Sequence, residues 1–158
     1  MSLIGIDFET RSEVDLTKHG RKKYLAGRDA DIICMGYKID DQLTELWTPG
    51  TSLPDFVTDF LQPFNHTFYA YNAQFDMAVW NTLGPKYGFP KVYPYSWIDV
   101  MAICGRFTYH QSLAQAGEDL ELKSKKDPHG KALIKKICTP AYHYLGIDLR
   151  EFHKYCKD

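Results

Sequence analysis

The sequence predicts an α/β domain, a mixed β-sheet with helices packed on both faces. Three observations predict it. Strand-like apolar runs crowd the first half, helix-like periodicity takes over from Asn72, and the 158 residues are 44% hydrophobic and 15% aromatic, enough for one real core. The expectation is a single domain over 1–158.

The first strand is Leu3 to Glu9, opened by the apolar run Leu3-Ile4-Gly5-Ile6. Thr10 to Arg28 is polar around Tyr24-Leu25 and fits a short helix or an ordered loop. Ile32 to Ile39 and Leu43 to Thr48, separated by Asp40-Asp41-Gln42, pair as a hairpin behind the first strand. Pro54-Asp55 opens a helix with Phe56, Val57, Phe60 and Leu61 on one face. Thr67 to Ala70 is a fourth strand, and Asn72 to about Leu83 is a helix stopped by Gly84-Pro85. Trp97-Ile98-Asp99 is a short strand running into a helix, Val100 to Phe107. Ser112 caps another helix through about Asp119. Lys123 to His129 is a basic loop, and Lys131 to Ile137 is helical. Asp148 with Glu151 forms a capping box for a last helix.

Composition narrows the functional classes. The net charge is −1, so polyanion binding must come from local patches or from metal ions. Arg21, Lys22 and Lys23 form one basic patch, and Lys123, Lys125 and Lys126 another. Solvated surface explains either patch as well as phosphate contact does. Tyr69, Tyr71, Tyr93, Tyr95 and Tyr109 are candidate stacking platforms for unpaired bases, most of them better read as core or pocket walls. Cys34, Cys104, Cys138 and Cys156 form no CxxC pair, which argues against zinc and for reduced thiols in an intracellular chain. The opening does not resemble a signal peptide, and no stretch is long enough to cross a membrane.

Acidic residues carry the chemistry. Asp7 and Glu9 are two apart in a strand, so they share a face about 6–7 Å apart along it. Like charges that close resist joint ionisation, and a divalent cation between them removes the conflict. Asp76 ends Asn72-Ala73-Gln74-Phe75-Asp76, just after the fourth strand. On a helix Asn72 and Asp76 are one turn apart and share a face, beside the stripe Phe75, Val79 and Leu83. Taken alone, Asp76 would be a solvating acid or a partner for the helix dipole. Joined to Asp7 and Glu9, it becomes a third carboxylate at one sheet end. The last helix carries Phe152, His153, Tyr155, Cys156 and Asp158. Phe152 and Cys156 read as core. Tyr155 and Asp158 share a face, with an amphipathic core tyrosine as the plainer explanation of Tyr155. His153 and Asp158, five apart, lie roughly 140° around the helix from each other, so His153 reads as surface.

Asp7-Phe8-Glu9-Thr10, Asn72-x-x-Phe75-Asp76 and Tyr155 followed closely by an acid resemble, in this order, the three exonuclease motifs of the DEDD family. The stretch from Ser124-Lys125-Lys126-Asp127 to Gly130-Lys131-Ala132-Leu133-Ile134 and the pair Tyr155-Cys156 resemble the 3′→5′ proofreading domains of phage family A DNA polymerases. The likeness implies a ribonuclease H-like fold and a metal-dependent 3′→5′ exonuclease acting on single-stranded or frayed DNA 3′ ends. It further implies two Mg²⁺ or Mn²⁺ ions held by Asp7, Glu9, Asp76 and a C-terminal acid. Tyr155 would orient the attacking water, and Thr10, Asn72, Tyr71, Lys125 and Lys126 would contact substrate. The chain departs from the pattern at its end. The tyrosine branch sets its last acid four residues past the tyrosine, and Asp158 is three past. Either Asp158 is a shifted fourth ligand or the ligand follows it in a longer chain. A separate DNA polymerase subunit is an expected partner, and the cytoplasm of a bacterial or phage-infected cell the expected location. A catalytically impaired binding module and an RNA-directed exonuclease are the alternatives.

Overall fold

The computed structural model describes residues 2–59, 66–123, 134, 137–138 and 149–156. Its strands are β1 (Ser2–Arg11), β2 (Asp31–Ile39), β3 (Glu45–Trp47), β4 (His66–Ala70) and β5 (Trp97–Asp99). They form one sheet in the order β3-β2-β1-β4-β5. β2 is antiparallel to both β1 and β3, whereas β4 runs parallel to β1 and β5 parallel to β4. This is the mixed sheet the strand pattern predicts, in the ribonuclease H-like arrangement that the family resemblance implies. The hairpin of β2 and β3 is shorter than expected, because Leu43 stands 88% exposed and the second strand starts only at Glu45.

Helices occupy the expected positions. α1 (Leu16–Leu25) follows an Asp15 cap whose carboxylate accepts from the Thr17 and Lys18 N–H groups. Gly20, at φ 73° and ψ 166°, breaks α1 into two turns, a conformation that glycine alone adopts cheaply. α2 (Asp55–Thr58) buries Phe56 and Val57, while Phe60 and Leu61 lie outside the described residues. α3 (Ala73–Thr82) runs into a 3₁₀ turn at Gly84–Tyr87. That turn is pinned by Asp31, which accepts from the Lys86 ammonium at 2.9 Å and the Tyr87 hydroxyl at 2.5 Å. α4 (Val100–Arg106) is capped by Asp99, and α5 (Leu113–Asp119) follows Ser112, which makes no capping hydrogen bond among the described residues. A C-terminal helix spans Leu149–Tyr155. The expected loop after Lys123, most of the helix expected over 131–137, and the Asp148 half of the capping box lie outside the described residues.

Alternation along β1 sorts the chain into two cores. Ile4, Ile6 and Phe8 point to one face and join Met35, Trp47, Phe68, Val79, Trp80 and Phe89. Trp80 sits at the centre of that cluster, with ring centroids 4.8 Å from Phe89 and 5.0 Å from Phe68. Its indole N–H donates to the Pro90 carbonyl at 2.6 Å. The opposite face carries Gly5, Asp7 and Glu9, and beside them a smaller core of Cys34, Ile137 and Phe152. Truncating Trp80 to alanine removes the largest fully buried side chain and orphans the Pro90 carbonyl. The Trp80→Ala variant is expected to lose about 3–5 kcal/mol in urea unfolding, and a loss below about 1 kcal/mol would contradict this packing.

Candidate active site

The site begins where the parallel ladder stops. β1 and β4 pair from Ser2/His66 to Gly5/Tyr69, and β1 continues alone on that flank. Beyond it the Phe8 N–H has no strand partner in β4, and the carboxylate of Asp76 accepts it at 3.0 Å. Asp76 is only 4% exposed, not the solvating acid that it would be on an isolated helix. Burial raises its pKa most, the charge of Asp7 raises it further, and the Phe8 hydrogen bond offsets part of this, leaving it at about 8. Asp99 at the end of β5 adds a smaller push in the same direction.

Asn72 is a correction. It does not share a helix face with Asp76, because it precedes the helix in the left-handed conformation, φ 65° and ψ 51°. Asparagine tolerates that region better than most residues, and the turn there swings the chain from β4 into α3. Asn72 is exposed. Tyr71 is half-buried, and its hydroxyl donates to the His110 carbonyl at 3.4 Å. Thr10 is buried with its hydroxyl 3.0 Å from that of Tyr24, so it braces β1 against α1.

Asp7 is exposed and Glu9 half-buried, on the face the alternation predicts. Two glycines make room around them. An added Cβ at Gly5 would meet the Tyr69 ring at 2.7 Å, and one at Gly36, the cross-strand partner of Asp7, would meet the Cys156 carbonyl oxygen at 2.8 Å. Tyr69 therefore lies over β1 on one side of Asp7, and the end of the C-terminal helix lies over β2 on the other. Glu9 pairs across with Cys34, whose Sγ is 3.5 Å from that of Cys156. A β-bulge follows Glu9 directly. Burial and then the charge of Glu9 push the Cys138 thiol up to about 12, and the hydrogen bond with Cys156 followed by burial pushes Cys34 up as well. Both thiols are thus held in the protonated form at neutral pH.

The structure thus brings Asp7 and Asp76 together at the strand end and places Glu9 next along the same face. The backbone of Tyr155 lies in the C-terminal helix, which packs beside that face, while Asp158, Lys125 and Lys126 lie outside the described residues. Among the described residues, no three histidine, cysteine, aspartate or glutamate side chains form a group that could hold a metal ion. The donors at hand, carboxylates in mutual repulsion, suit in kind a hard cation with oxygen ligands. Arg21 of α1 donates to the Gln74 carbonyl, which ties the Arg21, Lys22 and Lys23 patch to the first turn of α3. Sequence reasoning names Tyr69 as a candidate stacking residue but misses Asp99 and Gly36 as neighbours of the site. An acid directly before a helical run was a readable signal for Asp99 as a cap, but not for its nearness to Asp76.

No protein-family model matches the chain. Part of a phage DNA polymerase is similar to it. The match is to the DNA polymerase of Bacillus phage SP02, 30% identical over 142 residues, which make up 89% of this chain and 21% of that polymerase. The chain thus spans about a fifth of that relative's length. The family B DNA polymerase of the archaeon Pyrobaculum calidifontis superposes with a TM-score of 0.54 at 15% identity, over 99% of this chain and 23% of that one. A structure described as the apo form of a nuclease superposes with a TM-score of 0.52 at 18% identity, over 89% of this chain and 62% of the other. The likeness to a polymerase exonuclease domain read from the motifs is borne out. The chain thus shares sequence with part of a phage DNA polymerase and a fold with a nuclease. No helix among the described residues is long and apolar enough to cross a membrane.

The raised Asp76 pKa carries a stability signature. Between the ordinary carboxylate value near 4 and about 8, the folded chain keeps a proton that the unfolded chain has released, so stability falls as pH rises through that window. Asparagine at this position cannot ionise and still accepts from Phe8. In EDTA, Asp76→Asn should therefore be more stable than the parent at pH 8, by on the order of a few kcal/mol, with the gain vanishing toward pH 4. Urea unfolding at the two pH values checks this, and a gain independent of pH would contradict it.

Proposed function

We infer that the chain is a metal-dependent 3′→5′ exonuclease that releases nucleoside monophosphates from DNA 3′ ends, in the manner of a proofreading domain. The observation that carries this reading is Asp76, a buried carboxylate held at the open flank of β1 and facing the charge of Asp7. A fold tolerates such repulsion at a cost, and a site that takes up divalent cations turns that cost to use. Kinship to a polymerase supports DNA as the substrate.

Asp7, Glu9 and Asp76, with Asp158 or the acid that follows it, would hold two Mg²⁺ or Mn²⁺ ions, which when bound supply an acidified water and steady the leaving 3′ oxygen. Tyr155 would hydrogen-bond that water and aim it at the phosphorus. A phenol with a pKa of about 10 suits positioning better than proton abstraction. The water oxygen bonds to phosphorus, the P–O3′ bond breaks, and the 3′ oxygen leaves with a proton as the monophosphate is freed. Arg21, Lys22 and Lys23, tied to the start of α3, would contact backbone phosphates upstream of that bond. Lys125 and Lys126 would form the second phosphate contact. Tyr71 and the exposed Asn72 would border the terminal nucleotide, and Thr10 would act through the position of β1. A polymerase, on the same chain or a separate one, is the partner this activity serves.

A binding module without catalysis is the second reading, favoured by the lack of three converging ligand side chains among the described residues. One experiment separates the two. With Mn²⁺ and 5′-labelled single-stranded DNA, the chain should produce a ladder of stepwise shortened products. Asp7→Ala should slow it by more than about 100-fold, beyond what loss of an outer-sphere partner costs. An undiminished ladder in Asp7→Ala would end the assignment of Asp7, and retention of DNA with no ladder from the parent would favour the binding module.

A further inference from the structure

We propose that Tyr93 and Tyr95 form a second contact for single-stranded nucleic acid, a base-stacking platform at the end of the sheet opposite the carboxylates. The proposal rests on the reading of DNA as substrate and extends it to the bases upstream of the 3′ end. The two rings are parallel within 5°, with centroids 5.5 Å apart. Aromatic side chains are normally a large part of the buried core, yet these stand 48% and 69% exposed. Pro94 lies between them and opens a 3₁₀ turn at Pro94–Ser96, so the backbone under the pair is stiff. Each ring fixes the plane of the other, and an arriving base meets a surface already ordered. The Lys91 ammonium lies 5.5 Å from the centroid of the Tyr93 ring. A cation beside a stacked aromatic pair is the combination that holds a base and its phosphate without reading sequence, because every base has a π-face.

The topology separates this platform from the carboxylates. Trp97, at the start of β5, pairs with Phe68, and Phe68 pairs with Ile4. Asp7 is three residues further along β1, and Tyr95 is two residues before Trp97. Three strand rises, about 10 Å along the strand direction, separate Asp7 from the register of Trp97, and the platform lies in the turn before Trp97. A strand with its 3′ end at the carboxylates would reach Tyr95 only with upstream bases, and a dinucleotide would not reach it. Exposed tyrosines also serve protein interfaces, but the adjacent lysine and the parallel stack favour a polyanion with flat bases.

The test uses the full chain in EDTA, so nothing is cleaved. Binding of a fluorescent oligothymidylate of about fifteen nucleotides is followed by anisotropy, and that of a dinucleotide by saturation-transfer NMR. Tyr95→Ala should weaken the longer strand about tenfold, within the range that one base–aromatic stack contributes, and leave the dinucleotide unaffected. Tyr95→Trp, which keeps a flat ring, should restore the longer strand's affinity. Parental affinity in Tyr95→Ala would overturn the proposal and leave the pair to a protein surface. Equal loss for the dinucleotide would overturn it too, by making Tyr95 part of the carboxylate site or of the fold. Because the readout is binding without metal, a chain with no exonuclease activity can still show the tenfold loss, and an active one can fail to show it.

Discussion

One hydrogen bond organises the site: the Phe8 N–H donates to Asp76. β1 is longer than β4, so part of its flank emerges from the parallel ladder with backbone groups still to be satisfied. The chain satisfies Phe8 by turning sharply at Asn72 and bringing the first helical turn of α3 alongside. That places a carboxylate in a buried position one residue along from Asp7, which is itself exposed. A leucine at position 76 would pack well and leave the Phe8 N–H orphaned. A carboxylate satisfies it but is held largely protonated by burial and by its neighbour. The arrangement sacrifices some stability of the apo fold and keeps an acidic pair at the sheet edge.

The second face of β1 is shaped by absence of side chains. Gly5 leaves space that Tyr69 fills, and Gly36 leaves space that the Cys156 carbonyl fills. The strip between them carries Asp7 and Glu9. The small core of Cys34, Ile137 and Phe152 then holds the C-terminal helix against β2, next to that strip. The Cys34 thiol, raised by its hydrogen bond with Cys156 and by burial, and the Cys138 thiol, raised by burial and by Glu9, behave as small apolar groups.

Much of this was legible in the chain. The apolar run before Asp7, the β-rich stretch of β2 and the Gly84-Pro85 stop each marked an element through a local signal, and each element formed. The alternation of β1 placed Asp7 and Glu9 on one face correctly. What local signals could not carry was the geometry made by distant partners. Helical spacing put Asn72 and Asp76 on one face, but the helix begins at Ala73, because the turn out of β4 needs a left-handed residue at Asn72. The value of Gly36 depends on a carbonyl at Cys156, and that of Gly5 on a ring in the neighbouring strand. The exposure of Tyr93 and Tyr95 was equally hidden, since their composition matches that of core tyrosines elsewhere in the chain.

The central claim is that Asp76 titrates at the Phe8 amide under the charge of Asp7, and that divalent cations relieve the repulsion. Nitrogen-15 NMR of the Phe8 amide against pH measures it directly. In EDTA the amide shift should follow a midpoint near 8, and in Mg²⁺ that midpoint should fall toward the ordinary carboxylate range. A midpoint near 4 in EDTA, or one near 8 that Mg²⁺ leaves in place, would contradict the account.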